Sequence, residues 1–208
     1  MKNTKEIILE RALNLFNEKG VEYGGMRELA KLLDIRVSNI SYYFPTKDLL
    51  VDALTAKLAE LNSTTVQKYD SQSLKNYLEM QRAMFQNQYM YRCLPMSFVH
   101  LFINNPTTAA NYKLTEKKRR KQLEEIFSRL ITNGYLDKKT TAVDVQMMID
   151  HIALIARFWL SEARISHQDK TIDQTIHHYF TLICDILQQH TTVKGKKDIK
   201  EFLMGISA

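Results

Sequence analysis

Chain-breaking residues are scarce in this sequence, with three prolines and six glycines among 208 residues. So few turn formers favour long helices joined by short connections. Cysteine is nearly missing as well. Cys93 and Cys184 stand far apart in no CxxC pattern, which fits a reducing cytosol and two small apolar fillers. No apolar run approaches membrane-spanning length, and the polar, charged N-terminus has no signal-peptide core. A cytoplasmic protein without a membrane partner is expected. There is no GxSxG, P-loop, Gly-rich dinucleotide turn or HExxH. Asp150 and His151 are adjacent, so on a helix they point to different parts of its surface and make a poor catalytic pair. His177-His178 is the nearest approach to metal-ligand spacing, and it is a poor one. No enzyme activity, metal or cofactor is expected. Strand alternation, repeats and low-complexity tracts are absent too, so the expected fold class is all-α.

What the chain does have is a basic balance, a formal +6 at pH 7, compatible with a polyanionic partner. Its most informative stretch is 26–50, MRELAKLLDIRVSNISYYFPTKDLL. The pattern predicts a helix over 27–33, a turn at Asp34-Ile35, and a short polar-aromatic helix over 37–44 stopped by Pro45. Thr46 then caps the next helix, with Leu49, Leu50, Ala53, Leu54 and Leu58 among its apolar positions. Ahead of this stretch, Ile7, Ile8, Ala12, Leu15 and Phe16 recur at helical spacing over 3–19, and Gly20 is placed to end that helix. Such a geometry presents one short helix to a DNA groove.

Beyond Leu61 the signals are those of long helices. Ser71 or Ser73 opens one that runs to about residue 91. Asn105-Pro106 starts another, covering 113–130 and stopping near Gly134. A third spans 141–166. Thr171 with Gln174 fits a capping box for a fourth, running to about residue 190. The tail from Thr191 is polar and basic, with Phe202, Leu203 and Ile206 able to dock a last short turn. The expected architecture is an N-terminal three-helix helix-turn-helix head, residues 1–47, followed by a larger helical body, residues 48–208.

Leu15-Phe16, the Gly20 stop, Leu29-Ala30, Ile40, Tyr42-Tyr43-Phe44 and the run Pro45-Thr46-Lys47-Asp48-Leu49-Leu50 together resemble the TetR family of bacterial transcriptional repressors. The resemblance covers about a quarter of the chain. It departs at Gly24-Gly25, where the family has Thr or Ser, at Asp34 for the turn glycine, at Arg36 for Ser, and at Ser41 for Tyr. The resemblance implies a dimeric regulator of a DNA operator with a small-molecule inducer. It also implies backbone contacts by Tyr43 and Lys47.

Read residue by residue, a helix in the major groove needs small polar side chains on its leading face, which Ser38, Asn39 and Ser41 supply. Asn39 can pair with adenine, and Arg36 can reach guanine or phosphate. Arg27, near a helix start, suits phosphate, and Tyr42 suits phosphate or a thymine methyl. The plainer alternatives are core packing for Tyr42 and Tyr43, a solvated Arg27 and a turn-forming Arg36. Phe44 is expected inward. The basic run 117–121 is either a DNA or acidic-partner contact or a solvated helix face, with Glu124 and Glu125 one turn on.

For the body, a palindromic site read by two heads about 34 Å apart requires a dimer. The candidate interface is Met148, Ile152, Ile155 and Trp159 on one helix, with Ile176, Phe180, Ile183 and Leu187 on the next, unless these form the monomer's own core. Tyr77, Met80, Met84, Phe85, Phe98, Phe102, His151 and Phe158 are candidates to line an effector cavity, against the alternative of ordinary close packing. A helical protein-interaction adaptor, and an activator or nucleoid protein with the same head, remain as other readings.

Overall fold

A computed structural model describes residues 3–206. Eleven helices follow one another among them. They are α1 (Thr4–Lys19), α2 (Met26–Leu33), α3 (Val37–Tyr43), α4 (Lys47–Lys68), α5 (Leu74–Met90) and α6 (Cys93–Met96), then α7 (Phe98–Asn104), α8 (Pro106–Thr132), α9 (Ala142–Ser166), α10 (Ile172–Gln188) and α11 (Val193–Ile206). The one β-type pairing among the described residues is an isolated antiparallel bridge, Leu136 with Thr191. No helix there is long and apolar enough to cross a membrane. The fold is all-α, with a small helical head followed by a larger helical body.

Local chemistry explains most helix ends. Asn3 accepts a bond from the Lys5 N–H and opens α1, while Gly20, at φ 89°, closes it. Thr46 Oγ1 accepts from Leu49 N at 3.2 Å, Ser73 Oγ from Asn76 N at 3.1 Å, and Asn105 Oδ1 from Thr108 N at 3.0 Å. These bonds satisfy N–H groups that a helix start leaves without partners. Both α9 and α10 begin with full capping boxes, Thr141 with Asp144 and Thr171 with Gln174.

Two segments differ from expectation. The stretch between α5 and α8 holds two short helices, α6 and α7, where the sequence pattern marks no helix between about residue 91 and Asn105. The tail is a helix of 14 residues, α11, rather than a short turn. Its polar, lysine-rich face hid the other face, on which Gly195, Ile199 and Phe202 are buried. Gly195 is needed there because a Cβ would lie 2.2 Å from the Tyr135 carbonyl oxygen.

As compact units the chain divides elsewhere than at residue 47. One unit holds 1–62 with 87–112, and the other 63–86 with 113–208. The physical reason for the first grouping is a set of polar ties from the end of α5 and from α6–α8 back to the early helices. The Asn17 amide donates to the Met90 carbonyl at 2.8 Å and accepts from Cys93 N–H at 3.0 Å. Ser97 donates to the Glu22 carboxylate at 2.9 Å. Asp52 accepts from Asn105 Nδ2 at 3.1 Å and from the Thr108 hydroxyl at 2.6 Å. The first unit's core joins Ile8, Leu9, Leu15, Phe16, Leu29, Ile40, Phe44, Leu50 and Leu54 to Cys93, Leu94 and Leu101.

The second unit's core is larger and more aromatic. Phe85 stacks on Trp159 with centroids 4.8 Å apart, Phe180 lies 5.0 Å from Phe85, and Phe202 lies 5.2 Å from Phe180. Both cysteines are buried as apolar fillers, and burial pushes each thiol up to about 12.

Candidate nucleic-acid interface

The head's geometry follows from how α2 and α3 are joined. Asp34 takes the left-handed conformation, φ 53° and ψ 44°, which short polar residues tolerate. The next residue, Ile35, donates its N–H to the Ala30 carbonyl at 3.1 Å. This turn needs no glycine. The helix after it is held from one side only. Ile40 is its fully buried residue, and Phe44 follows it into the core with Lys5 Nζ 5.6 Å from the ring centroid.

With Ile40 as anchor and Tyr43 packed partly against the same core, most of α3 and its N-cap face outward. Arg36, Val37, Ser38, Asn39 and Tyr42 are exposed, while Ser41 and Tyr43 are half-buried. Tyr42 is 81 % exposed, which excludes core packing for it within the chain. Its ring meets Tyr43 edge-on at 5.0 Å, and that contact orients it. Arg27 is exposed on α2, and Lys31, one turn further on, is exposed beside it. Lys31 escaped the sequence reading because it sits in an ordinary amphipathic pattern.

Lys47 also has a role within the chain. Its ammonium donates to the Glu22 carbonyl at 3.1 Å and lies 5.9 Å from the Phe16 ring centroid, so it ties the start of α4 to the α1–α2 turn. An ammonium has two further donors, which leaves it able to meet a phosphate as well. Gly25, the N-cap of α2, makes no side-chain cap bond, and a Cβ there would meet nothing within 4 Å. Its neighbour Gly24 is buried, with a virtual Cβ only 2.5 Å from Phe16 Cδ1. The two glycines therefore have different reasons.

In the body the interface candidates take the other of the two places the sequence left open, the chain's own core. Met148, Ile152, Trp159, Ile176, Phe180, Ile183 and Leu187 are buried in the core of their own chain, and Ile155 packs half-buried against it. Side chains committed to one chain's core cannot also face a partner. The opposite side of α9 is the free apolar face. Val143, Met147, Leu154 and Ile165 are 70, 51, 57 and 78 % exposed. Their separations of four, seven and eleven residues return to one side of a helix. On α10, Leu182 is exposed too.

Of the expected effector residues, Tyr77, Met80 and Phe85 are fully buried, Tyr77 edge-on to Phe127 at 5.5 Å. Met84 and Phe158 are half-buried in the same unit. His151 is exposed, neither a core histidine nor a cavity group, because its position on α9 falls on the outer stripe. Phe98 and Phe102 belong to the other unit, clustered with Tyr112 at 4.8 and 5.9 Å.

Within the basic run, Arg120 pairs with Asp150 and donates to Gln146 at 2.7 Å, while its neighbours Lys117, Lys118, Arg119 and Lys121 are exposed. Burial, and then the nearby His167, hold His178 below the usual histidine range. Among the described residues no three His, Cys, Asp or Glu side chains converge on a metal position.

Comparison with known proteins agrees with this geometry. Residues 8–54 match the family described as "Bacterial regulatory proteins, tetR family", and residues 57–199 match that described as "Bacterial transcriptional repressor". The "Probable HTH-type transcriptional regulator YttP" of Bacillus subtilis (strain 168) is 42 % identical over 65 residues, which are 31 % of each chain. The match thus spans 31 % of the curated relative's own length. Solved structures extend the likeness in fold. A TetR-family transcriptional regulator from Marinobacter aquaeolei VT8 aligns at TM-score 0.87 and 16 % identity, covering 99 % of both chains. GusR of Salmonella enterica aligns at 0.61 and 18 %, covering 89 % of this chain and 95 % of its own. KstR2 of Mycobacterium tuberculosis aligns at 0.62 and 15 %, covering 92 % and 97 %. The helix-turn-helix head on an all-helical body defines a DNA-binding transcriptional regulator rather than an enzyme. More particularly, the chain belongs to the TetR family.

Proposed function

We propose that this regulator is a cytoplasmic homodimeric repressor that grips a palindromic operator and lets go when a small molecule binds the body. The observation that carries the reading is α3, anchored by one buried residue, Ile40, and otherwise presenting Arg36, Ser38, Asn39 and Tyr42 to solvent. Asn39 and Arg36 read base edges, with Ser38 and Ser41 keeping the approach close. Arg27, Tyr42, Tyr43 and Lys47 hold the sugar-phosphate backbone and set the register. The DNA-binding domain is residues 1–47, and residues 48–208 regulate and dimerise.

Dimerisation is assigned to the outer stripe of α9, Val143, Met147, Leu154 and Ile165, with Leu182 of α10. Exposed aliphatic side chains recurring along one side of a helix are what a partner copy would cover. A two-fold dimer reads a site with matching two-fold symmetry. The effector is placed in the second unit beside Met84 and Phe158, the half-buried candidates. Methionine side chains there can repack around an apolar guest. Release follows if the guest prefers the arrangement that does not fit DNA.

A footprint on the DNA upstream of the protein's own gene tests the reading. Protection of an inverted repeat, lost in Asn39→Ala, is expected, with sedimentation showing two chains per site. A single unpaired protected element, or an Asn39→Ala footprint identical to the parent, would overturn it.

A further inference from the structure

We infer that Tyr23, on the turn before α2, is an additional DNA-backbone contact that clamps the duplex beside the groove read by α3. The inference rests on the DNA-reading role of the head proposed above. Tyr23 is 82 % exposed, as open as Tyr42 on the reading helix. Isolated exposed aromatics are common, and what sets this one apart is the rigidity of its mount. Val21 and Gly24, on either side of it, are buried, and Gly24 N–H donates to the Gly20 carbonyl at 3.1 Å. The Glu22 carbonyl is held by Lys47 at 3.1 Å, and its carboxylate is drawn onto the Ser97 hydroxyl at 2.9 Å. The acid of the turn is thereby occupied, and the ring between these fixed points projects into water.

Its place in the motif gives the ring a target. When the second helix of such a motif enters the groove, the first crosses the sugar-phosphate backbone. Tyr23 lies two residues before the N-cap of that first helix. A tyrosine hydroxyl donates to phosphate oxygens, and its flat ring covers a sugar while freezing only two side-chain torsions. The contact is uncharged. It therefore adds affinity without releasing a further counterion, unlike Arg27 or Lys31.

Full-length protein is titrated against the fragment upstream of its own gene and against a short random-sequence duplex at low salt. Tyr23→Ala should bind both about tenfold more weakly, and Tyr23→Phe about threefold. The salt slope should stay that of the parent in both, whereas Arg27→Ala lowers it by about one. Thermal melting should be unchanged. In the parent, nitration of Tyr23 by tetranitromethane should be suppressed by DNA, a readout that does not depend on any variant folding. Parent-like affinity of Tyr23→Ala, or undiminished nitration on DNA, overturns the inference and leaves the head's role standing. Loss on the upstream fragment alone overturns the sequence-blind part. If the parent binds neither duplex, the proposed role falls and the inference with it.

Discussion

The two compact units carry their charge very differently. The unit holding the reading helix has ten Lys and Arg against nine Asp and Glu, whereas the other has nineteen against fourteen. The DNA-reading unit is thus almost neutral, and the basic excess lies in the body. Bulk charge is a poor guide to the site. In the proposed reading, contact rests on a few placed groups, Arg27, Lys31 and Arg36 among them, while several other charges of this unit are engaged internally. Lys19 pairs with Glu28, and Lys57 pairs with Glu6 at 2.7 Å, which raises the lysine's pKa. The units also cohere by different means. The second relies on stacked aromatic bulk, and the first on a small core stitched by amide, hydroxyl and carboxylate ties.

The sharpest way to break this contrast is to cut into the body's core. Trp159→Ala should cost roughly 3–5 kcal/mol in chemical denaturation, since it removes the ring stacked on Phe85 and leaves a cavity. On the opposite face of the same helix, the pair Met147→Glu with Leu154→Glu should spare the core. Sedimentation should show it as a single chain with operator affinity reduced more than a hundredfold. Dimers that survive that pair would move the interface elsewhere.

In the head, Asn17→Ala should cost about 2 kcal/mol, because it strands both the Met90 carbonyl and the Cys93 N–H. A melt indistinguishable from the parent would mean that water replaces both bonds. The adjacent glycines give a finer comparison. Gly24→Ala forces a methyl into Phe16 and should destabilise by about 1–3 kcal/mol. Gly25→Ala faces open space and should stay within about 0.5 kcal/mol.

The smallest effect separates the two capping boxes of the body. Hydrogen bonds from Thr141 hold the Asp144 carboxyl below its ordinary range. Its stabilising share is complete above the unfolded carboxylate pKa and is lost as pH falls through the lowered folded value. Gln174 does not titrate. Hydrogen exchange in the first turn of α9 should therefore quicken on acidification relative to that of α10. Equal behaviour of the two helices would remove the ionised cap from the account.

How far these features were legible in the sequence depends on the range of the interaction behind each. Pro45-Thr46, Asn105-Pro106 and Thr171 with Gln174 act within one helical turn, and each marks a boundary that the structure has. The outward face of α3 was legible for the same reason, since one buried residue, Ile40, decides it. The partners of α6 and α7 are Asn17, Glu22 and Asp52, which lie dozens of residues away, so their membership of the first unit left no local trace. On α9 the apolar positions run almost all round the helix. Periodicity marked an apolar stripe but could not say whether it meets the chain's own core or a partner. The structure gives the first role to Met148, Ile152 and Trp159, and leaves Met147 and Leu154 outside. The buried stripe of α11 was masked by the lysines that surround it.

The bridge made by Asn17 carries a consequence for how the protein ages. One amide serves as hydrogen donor to Met90 and as lone-pair acceptor from Cys93. Hydrolysis to aspartate alters the side chain's volume hardly at all, yet it turns an electron pair towards a carbonyl that needs a proton. The Cys93 bond survives that change and the Met90 bond does not, so half of this fastening is sensitive to charge and indifferent to shape.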